Sequence, residues 1–121
     1  MRACLLPAAV LLLAACSGSP SSSQADAGDT CAELAQHYAQ VADELNHCTD
    51  ASECVAYRKD CGIGFPDGGA DCFFYLNRAG NQTQFATMKL EWDHLGCRGS
   101  CPSCAGPPPL ACTNGKCVPA P

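Results

Sequence analysis

Apolar side chains at Cys31, Leu34, Tyr38, Val41, Leu45 and Cys48 recur at steps of 3, 4, 3, 4 and 3. That spacing lines one face of an α-helix. Thr30 stands where an N-cap belongs and Glu33 can reach back to complete a capping box, while Gln36, Gln40 and Asp43 fall on the opposite, wet side. In an unbroken helix Cys31 and Cys48 would lie roughly 25 Å apart, so each is expected to pair outward and pin one helix end. Phe85, Met88, Trp92 and Leu95 step by 3, 4 and 3 and predict a second helix, with Asn81 and Gln84 as cap and reciprocal partner and Gly96 as the stop. Met88 and Trp92 read as core packing, with both stripes facing a common core.

Between the helices the period changes. Glu53–Arg58 and Asp71–Leu76 are short, aromatic or β-branched runs, separated by a Gly/Pro-rich stretch from Gly62 to Gly69 that cannot be helix. They are expected to pair antiparallel. Near the end, Asn114-Gly115 between Ala111-Cys112-Thr113 and Lys116-Cys117-Val118 predicts a type I′ hairpin, with Cys112 facing Cys117 and Thr113 facing Lys116. Both sulfurs then leave one face of the ribbon, either to bond each other or, as the favoured arrangement, to meet two partners beneath it. Pro107-Pro108-Pro109 is an extended spacer. These patterns predict an α+β fold: a small disulfide-rich domain with two amphipathic helices packed on a short antiparallel sheet.

The first fifteen residues follow a different pattern. Met1-Arg2 is a minimal positive start, Ala3–Leu13 an apolar run too short to span a bilayer stably, and Leu13-Ala14-Ala15-Cys16 leads into a polar, serine-rich stretch. The four residues resemble the lipobox of bacterial lipoproteins. That resemblance implies cleavage before Cys16, lipid attachment at its sulfur and an acylated new N-terminus, which together hold a protein to a membrane without spanning it. Ser17 occupies the position where an aspartate would resemble an inner-membrane retention signal, so the same analogy points to the outer membrane, facing either the periplasm or the exterior. Residues 16–29, with no large apolar side chain after the cysteine, read as a lipidated terminus and flexible tether, and 30–121 as one cysteine-rich domain.

Composition narrows the class. Without the leader, six basic residues (Arg58, Lys59, Arg78, Lys89, Arg98, Lys116) face twelve acidic ones, a balance that repels phosphate and argues against nucleic-acid partners. Of twelve cysteines, Cys4 leaves with the leader and Cys16 takes the lipid, which leaves an even set: Cys31, Cys48, Cys54, Cys61, Cys72, Cys97, Cys101, Cys104, Cys112 and Cys117. In a small exported chain this set reads as a disulfide framework of up to five bonds, with roughly 950 pairings open to it.

The run from Cys72 to Val118 carries Leu76-Asn77-Arg78, the second helix, Leu95-Gly96-Cys97, Cys101-Pro102, the prolines and Cys112–Val118. It resembles small cysteine-rich domains of secreted proteins and lipoproteins of soil bacteria. The likeness covers about the last half of the chain, implies export and disulfide content, and carries no functional residues across. Its cysteine cluster around Arg98–Cys104 departs from the pattern and leaves the pairing there open.

Two function classes follow, with a third behind them. The first is a non-enzymatic binding or structural domain of a lipid-anchored envelope protein, with a protein partner in the envelope and no cofactor. The second is a protease inhibitor presenting the loop between Cys61 and Cys72, with Ile63 or Phe65 as contact residues. The third is a thiol–disulfide or zinc enzyme: His94, Cys97, Cys101 and Cys104 have the donors and spacing of a tetrahedral zinc site, and Cys101-Pro102-Ser103-Cys104 is a CxxC. Against zinc stands the oxidising compartment, and against redox catalysis the position of the CxxC after a helix rather than at a helix N-terminus. His37, His47 and His94 are scattered, and Asp43 and Glu44 diverge as neighbours on a helix, so neither set reads as an acid/base pair. No catalytic or metal residue is assigned.

Overall fold

The computed structural model describes residues 27–121. The leader, Cys16 and most of the tether lie outside the described residues. The chain forms helix α1 (Ala27–Leu45), a single 3-10 turn (Ala51–Glu53), strands β1 (Cys54–Arg58) and β2 (Phe73–Asn77), helix α2 (Thr83–His94), and strands β3 (Leu110–Thr113) and β4 (Lys116–Pro119). The α+β class is as expected, but the strands form two separate antiparallel pairs, β1–β2 and β3–β4, rather than one sheet. The Pro-rich approach to β3 has no N–H groups at its prolines with which to extend a ladder.

Strand alternation divides the interior into two cores. Val55 pairs with Leu76 and Tyr57 with Phe74, so these four side chains share one face of the β1–β2 ribbon. On that face they meet Leu34, Tyr38 and Val41 of α1 and Phe85, Met88 and Trp92 of α2. Phe85 is packed among three rings, with centroids 5.0 Å from Tyr38, 4.6 Å from Tyr57 and 5.8 Å from Phe74. The opposite face carries Cys54 and Tyr75, which join Cys48, Cys117, Cys112 and Leu110 in a smaller core made largely of sulfur.

α1 begins at Ala27, so Thr30 lies within the helix and the capping box expected at Thr30 and Glu33 does not form. A Thr-x-x-Glu spacing is equally compatible with a helix interior. The helix also ends at Leu45, before Cys48. Asn46 turns away there and clamps β4, its Oδ1 accepting from the Cys117 N–H (2.6 Å) and its Nδ2 donating to the Cys117 carbonyl (3.2 Å). A capping box does form at the 3-10 turn, where Asp50 accepts from Ser52 N–H and Glu53 reaches back to Asp50. Its Asp-x-x-Glu signature was available in the sequence.

α2 starts at Thr83 with Gln82 in the N-cap position and no side-chain cap there, so the cap expected at Asn81 falls one residue early. Asn81 Oδ1 instead accepts from the Thr83 N–H (3.2 Å) and hydroxyl (2.6 Å) in a turn before the helix, and Gln84 Nε2 donates to the Asn81 carbonyl (3.1 Å). At its other end Gly96, at φ 71°, donates to the Asp93 carbonyl and Cys97 N–H donates to that of Trp92. These two bonds make a Schellman stop, which requires the left-handed conformation that glycine adopts without steric cost. Leu95, expected on the buried stripe, lies past the helix end and is 38% exposed. The hairpin turn has φ 52° at Asn114 and 74° at Gly115, and the ladder pairs Cys112 with Cys117 and Thr113 with Lys116, as expected for type I′.

Beyond α2 the irregular segment from Cys97 to Pro109 passes very close to the loop after β1. A Cβ on Gly99 would stand 2.3 Å from the Gly62 carbonyl oxygen, and Gly62 itself rests against the Trp92 indole. The crossing is fixed by Gly62 N–H donating to the Ser100 carbonyl (3.0 Å) and Ser100 N–H donating to that of Phe65 (2.9 Å). Gly99→Ala is therefore expected to lower stability by about 1–3 kcal/mol through backbone displacement. Gly106→Ala, where a Cβ meets nothing within 4 Å, should change it by less than about 0.5 kcal/mol. Urea unfolding followed by Trp92 fluorescence checks the pair, and equal effects would contradict the close crossing.

Candidate functional site

All ten cysteines of the domain are paired: Cys31–Cys97, Cys48–Cys112, Cys54–Cys117, Cys61–Cys101 and Cys72–Cys104. Cys31, on α1, and Cys48, three residues beyond its end, each pair with a distant cysteine as expected, although the helix does not run unbroken to Cys48. Cys112 and Cys117 do not bond each other but take two partners beneath the ribbon, the arrangement favoured from the hairpin register. The zinc constellation is dispersed, since Cys97, Cys101 and Cys104 are bound to three different partners and His94 is exposed on the last turn of α2. Cys101 and Cys104 likewise do not close on each other but bond Cys61 and Cys72. The physical reason is geometric: the irregular segment after α2 carries Cys97 to Cys31 on α1, and Cys101 and Cys104 to the two ends of the 61–72 loop.

That loop folds inward at its apolar residues. Gly62, at φ 83°, reverses the chain after Cys61, Gly64 N–H donates to the Asp60 carbonyl (3.0 Å), and Ile63 and Phe65 are 1% and 4% exposed. They belong to the interior and are not available to a protease cleft, which corrects the inhibitor reading at its proposed contact residues. What the loop does expose is Pro66-Asp67-Gly68-Gly69-Ala70-Asp71, a stretch without a large side chain.

Asp60, at the entry to the loop, organises a half-buried polar network that the sequence did not reveal. Its Oδ2 accepts from the hydroxyls of Tyr38 (2.7 Å) and Tyr57 (2.9 Å), and its own N–H donates to the Tyr38 hydroxyl (2.8 Å). Burial above all pushes the Tyr38 hydroxyl far above its ordinary range; the Asp60 N–H opposes the shift and the Asp60 carboxylate adds to it. Burial and then the same carboxylate push Tyr57 up to about 12. Tyr38 was legible as part of the helix stripe, but its hydroxyl partner lies 22 residues away, and no local signal encodes such a pairing. Among the described residues no buried side-chain nitrogen or oxygen lacks a partner, so the network is a satisfied one.

Beside it lies a cleft of about 400 Å³ lined by Arg58, Lys59, Asp60, Phe65, Pro102, Cys104 and the Cys61–Cys101 disulfide. Lys59 is held over the Phe74 ring (4.9 Å) and near that of Phe65 (5.7 Å), and pairs with Asp71 at 3.8 Å. Asp43 pairs with Lys116 across to the hairpin and Glu44 accepts from Gln40, so these neighbours serve different contacts. No helix of the described residues is long and apolar enough to cross a membrane. No protein-family model, curated protein or solved structure matches the chain.

Removing the Tyr38 hydroxyl strands the Asp60 N–H and takes one of two donors from Asp60 Oδ2, which keeps the Tyr57 hydroxyl. Tyr38→Phe is accordingly expected to cost about 1–3 kcal/mol and Tyr57→Phe, which removes only one donor, less. Urea denaturation at neutral pH measures both, and an equal or smaller loss for Tyr38→Phe would contradict the network. Between pH 10 and about 12 the unfolded chain has released the Tyr57 proton while the folded chain retains it. Stability should therefore hold up to the ordinary tyrosine value and fall as pH rises beyond it, with a shallower fall in Tyr57→Phe. Parallel denaturation curves on either side of that window check the sign.

Proposed function

We propose that the protein is a lipid-anchored component of the cell envelope, held by Cys16, whose disulfide-stabilised domain is a non-enzymatic binding or structural module. The observation that carries this reading is the pairing of the ten cysteines from Cys31 to Cys117 among themselves, through five disulfides. Such a framework persists where thiols are oxidised, outside the cytosol, in keeping with the export leader. It also leaves none of the ten as a partner for Cys16, the cysteine that the lipobox resemblance assigns to lipid. The non-enzymatic half of the proposal is supported by the dispersal of His94, Cys97, Cys101 and Cys104, the sharpest catalytic or metal constellation in the sequence, into separate structural bonds. A protein partner in the envelope is the natural role for a rigid module on a flexible tether; the acidic balance disfavours nucleic acid.

One acyl chain binds a membrane marginally, whereas two or three make attachment durable. The chain expressed in a diderm bacterium is expected in the membrane fraction and in the detergent phase, with an intact mass that includes the acyl groups. Cys16→Ser is expected in the soluble fraction, unlipidated, with its disulfides unchanged. Equal partitioning of the two proteins, or an unmodified Cys16 after leader cleavage, would defeat the anchoring proposal.

A further inference from the structure

Cys112 and Cys117 face each other across the β3–β4 ladder, so both sulfurs project from one face of the ribbon. Cys48 and Cys54 lie beneath them, from the connection after α1 and from the start of β1. The observed bonds are Cys48–Cys112 and Cys54–Cys117, yet the sulfurs of Cys48, Cys54 and Cys117 all lie within 4.8 Å of one another. At that separation the Cys48 sulfur neighbours the Cys54–Cys117 bond. Among the described residues no other three sulfurs gather at this range. The cluster is graded in depth: Cys117 is wholly buried, Cys48 and Cys54 are buried, and Cys112 is half-buried at the edge.

We propose that these four cysteines form a thiol–disulfide exchange site, entered at Cys112 by a small or protein-borne thiol and relayed by Cys48 to the buried Cys54–Cys117 bond. In the first step the incoming thiolate attacks the Cys112 sulfur and forms a mixed disulfide, and the electron pair of the broken bond leaves on Cys48. In the second, the Cys48 thiolate attacks the sulfur of Cys54 or Cys117 and bonds to it, and the displaced sulfur departs as a thiolate that takes a proton from solvent. Two S–S bonds are present before and after, and one thiol has been exchanged for another; no external oxidant is required. Once protonated, the displaced group can donate to nearby carbonyls, because the Cys117 sulfur lies 3.6 Å from the Leu76 carbonyl oxygen and 3.9 Å from that of His47, and the Cys54 sulfur 3.9 Å from that of Ala111. A thiol liberated inside this core is thereby not an unpartnered polar group.

The direct test is the exported full-length chain carrying Cys112→Ser, which leaves Cys48 as a thiol beside an intact Cys54–Cys117 bond. After incubation at about pH 8.5, where an ordinary thiol is about half ionised, thiols are trapped by alkylation and disulfides mapped by peptide mass spectrometry without reduction. Alkylated Cys54 or Cys117, with Cys48 joined to the other of the two, is expected in roughly a tenth or more of the chains, since exchange between similar disulfides runs near equilibrium. Alkylation confined to Cys48 overturns the proposal. Cys48→Ser frees Cys112 instead, which stands outside the three-sulfur group, and should exchange about tenfold less; equal exchange from the two variants overturns the assignment of Cys48 as the relay. The unsubstituted chain, which does not depend on a variant folding, is treated with limiting reduced glutathione. Glutathione on Cys112 with alkylation at Cys54 or Cys117 is expected, whereas no adduct at Cys112, or one accompanied by alkylation at Cys48 alone, overturns the route. These readouts are independent of whether Cys16 is lipidated.

Discussion

Each of the five disulfides joins one of Cys31, Cys48, Cys54, Cys61 and Cys72 to one of Cys97, Cys101, Cys104, Cys112 and Cys117, across separations of 32 to 66 residues. Residues 31–72 are thus sewn to residues 97–117 at five points, and among the described residues neither of these segments is cross-linked within itself. Covalent closure of loops this long removes much of the entropy of the unfolded chain, typically contributing about 2–4 kcal/mol per bond. In a domain this small, whose hydrophobic core is limited by its surface-to-volume ratio, that constraint is what lets the rest persist. The irregular Cys97–Pro109 segment illustrates it: with no strand or helix of its own, it is positioned by three sulfurs and the two backbone bonds at the Gly62–Gly99 crossing.

The short β1–β2 ribbon can be so narrow because both of its faces are covered. One face meets the helices through Val55, Tyr57, Phe74 and Leu76, and the other meets the sulfur-rich core through Cys54 and Tyr75. An isolated two-stranded hairpin is marginal in water, and packing on both sides supplies what its few ladder bonds do not. The same layering couples distant features. Asp60 sits at the end of β1 and ties the helix stripe through Tyr38 to the loop that carries Ile63 and Phe65 inward, so the conformation of that loop depends on a polar contact inside the principal core. In the second core, the register of the hairpin sets which sulfurs meet, because a slip of one residue would turn Cys112 and Cys117 to the opposite face.

Much of the local structure was legible in the residues. The stripes of Leu34, Tyr38 and Val41 and of Phe85, Met88 and Trp92, the hairpin at Asn114-Gly115 and the stop at Gly96 all follow from periodicity or from a backbone conformation that few residues adopt. The departures occur where the same local signal permits two outcomes. Thr30 and Glu33 suit a helix interior as well as a helix start, and Leu95 continues a spacing that the Schellman stop at Gly96 cuts short. The candidate zinc and CxxC readings treated Cys97, Cys101 and Cys104 as a local group, but an extended chain places nearby cysteines at different sites.

By itself, then, the sequence determined the two helices, the strands and the hairpin register, the parity of the cysteine set, and the requirement that Cys31 and Cys48 find partners elsewhere, because these depend on spacing over a few residues and on fixed bond geometry. Only the tertiary structure decided which sulfurs pair, that Ile63 and Phe65 turn inward, that Asp60 receives two tyrosine hydroxyls, and that Cys48, Cys54 and Cys117 converge. Each of these is a meeting of residues far apart in the chain, set by how the helices and ribbons pack, and nothing in the local spacing of either partner specifies it.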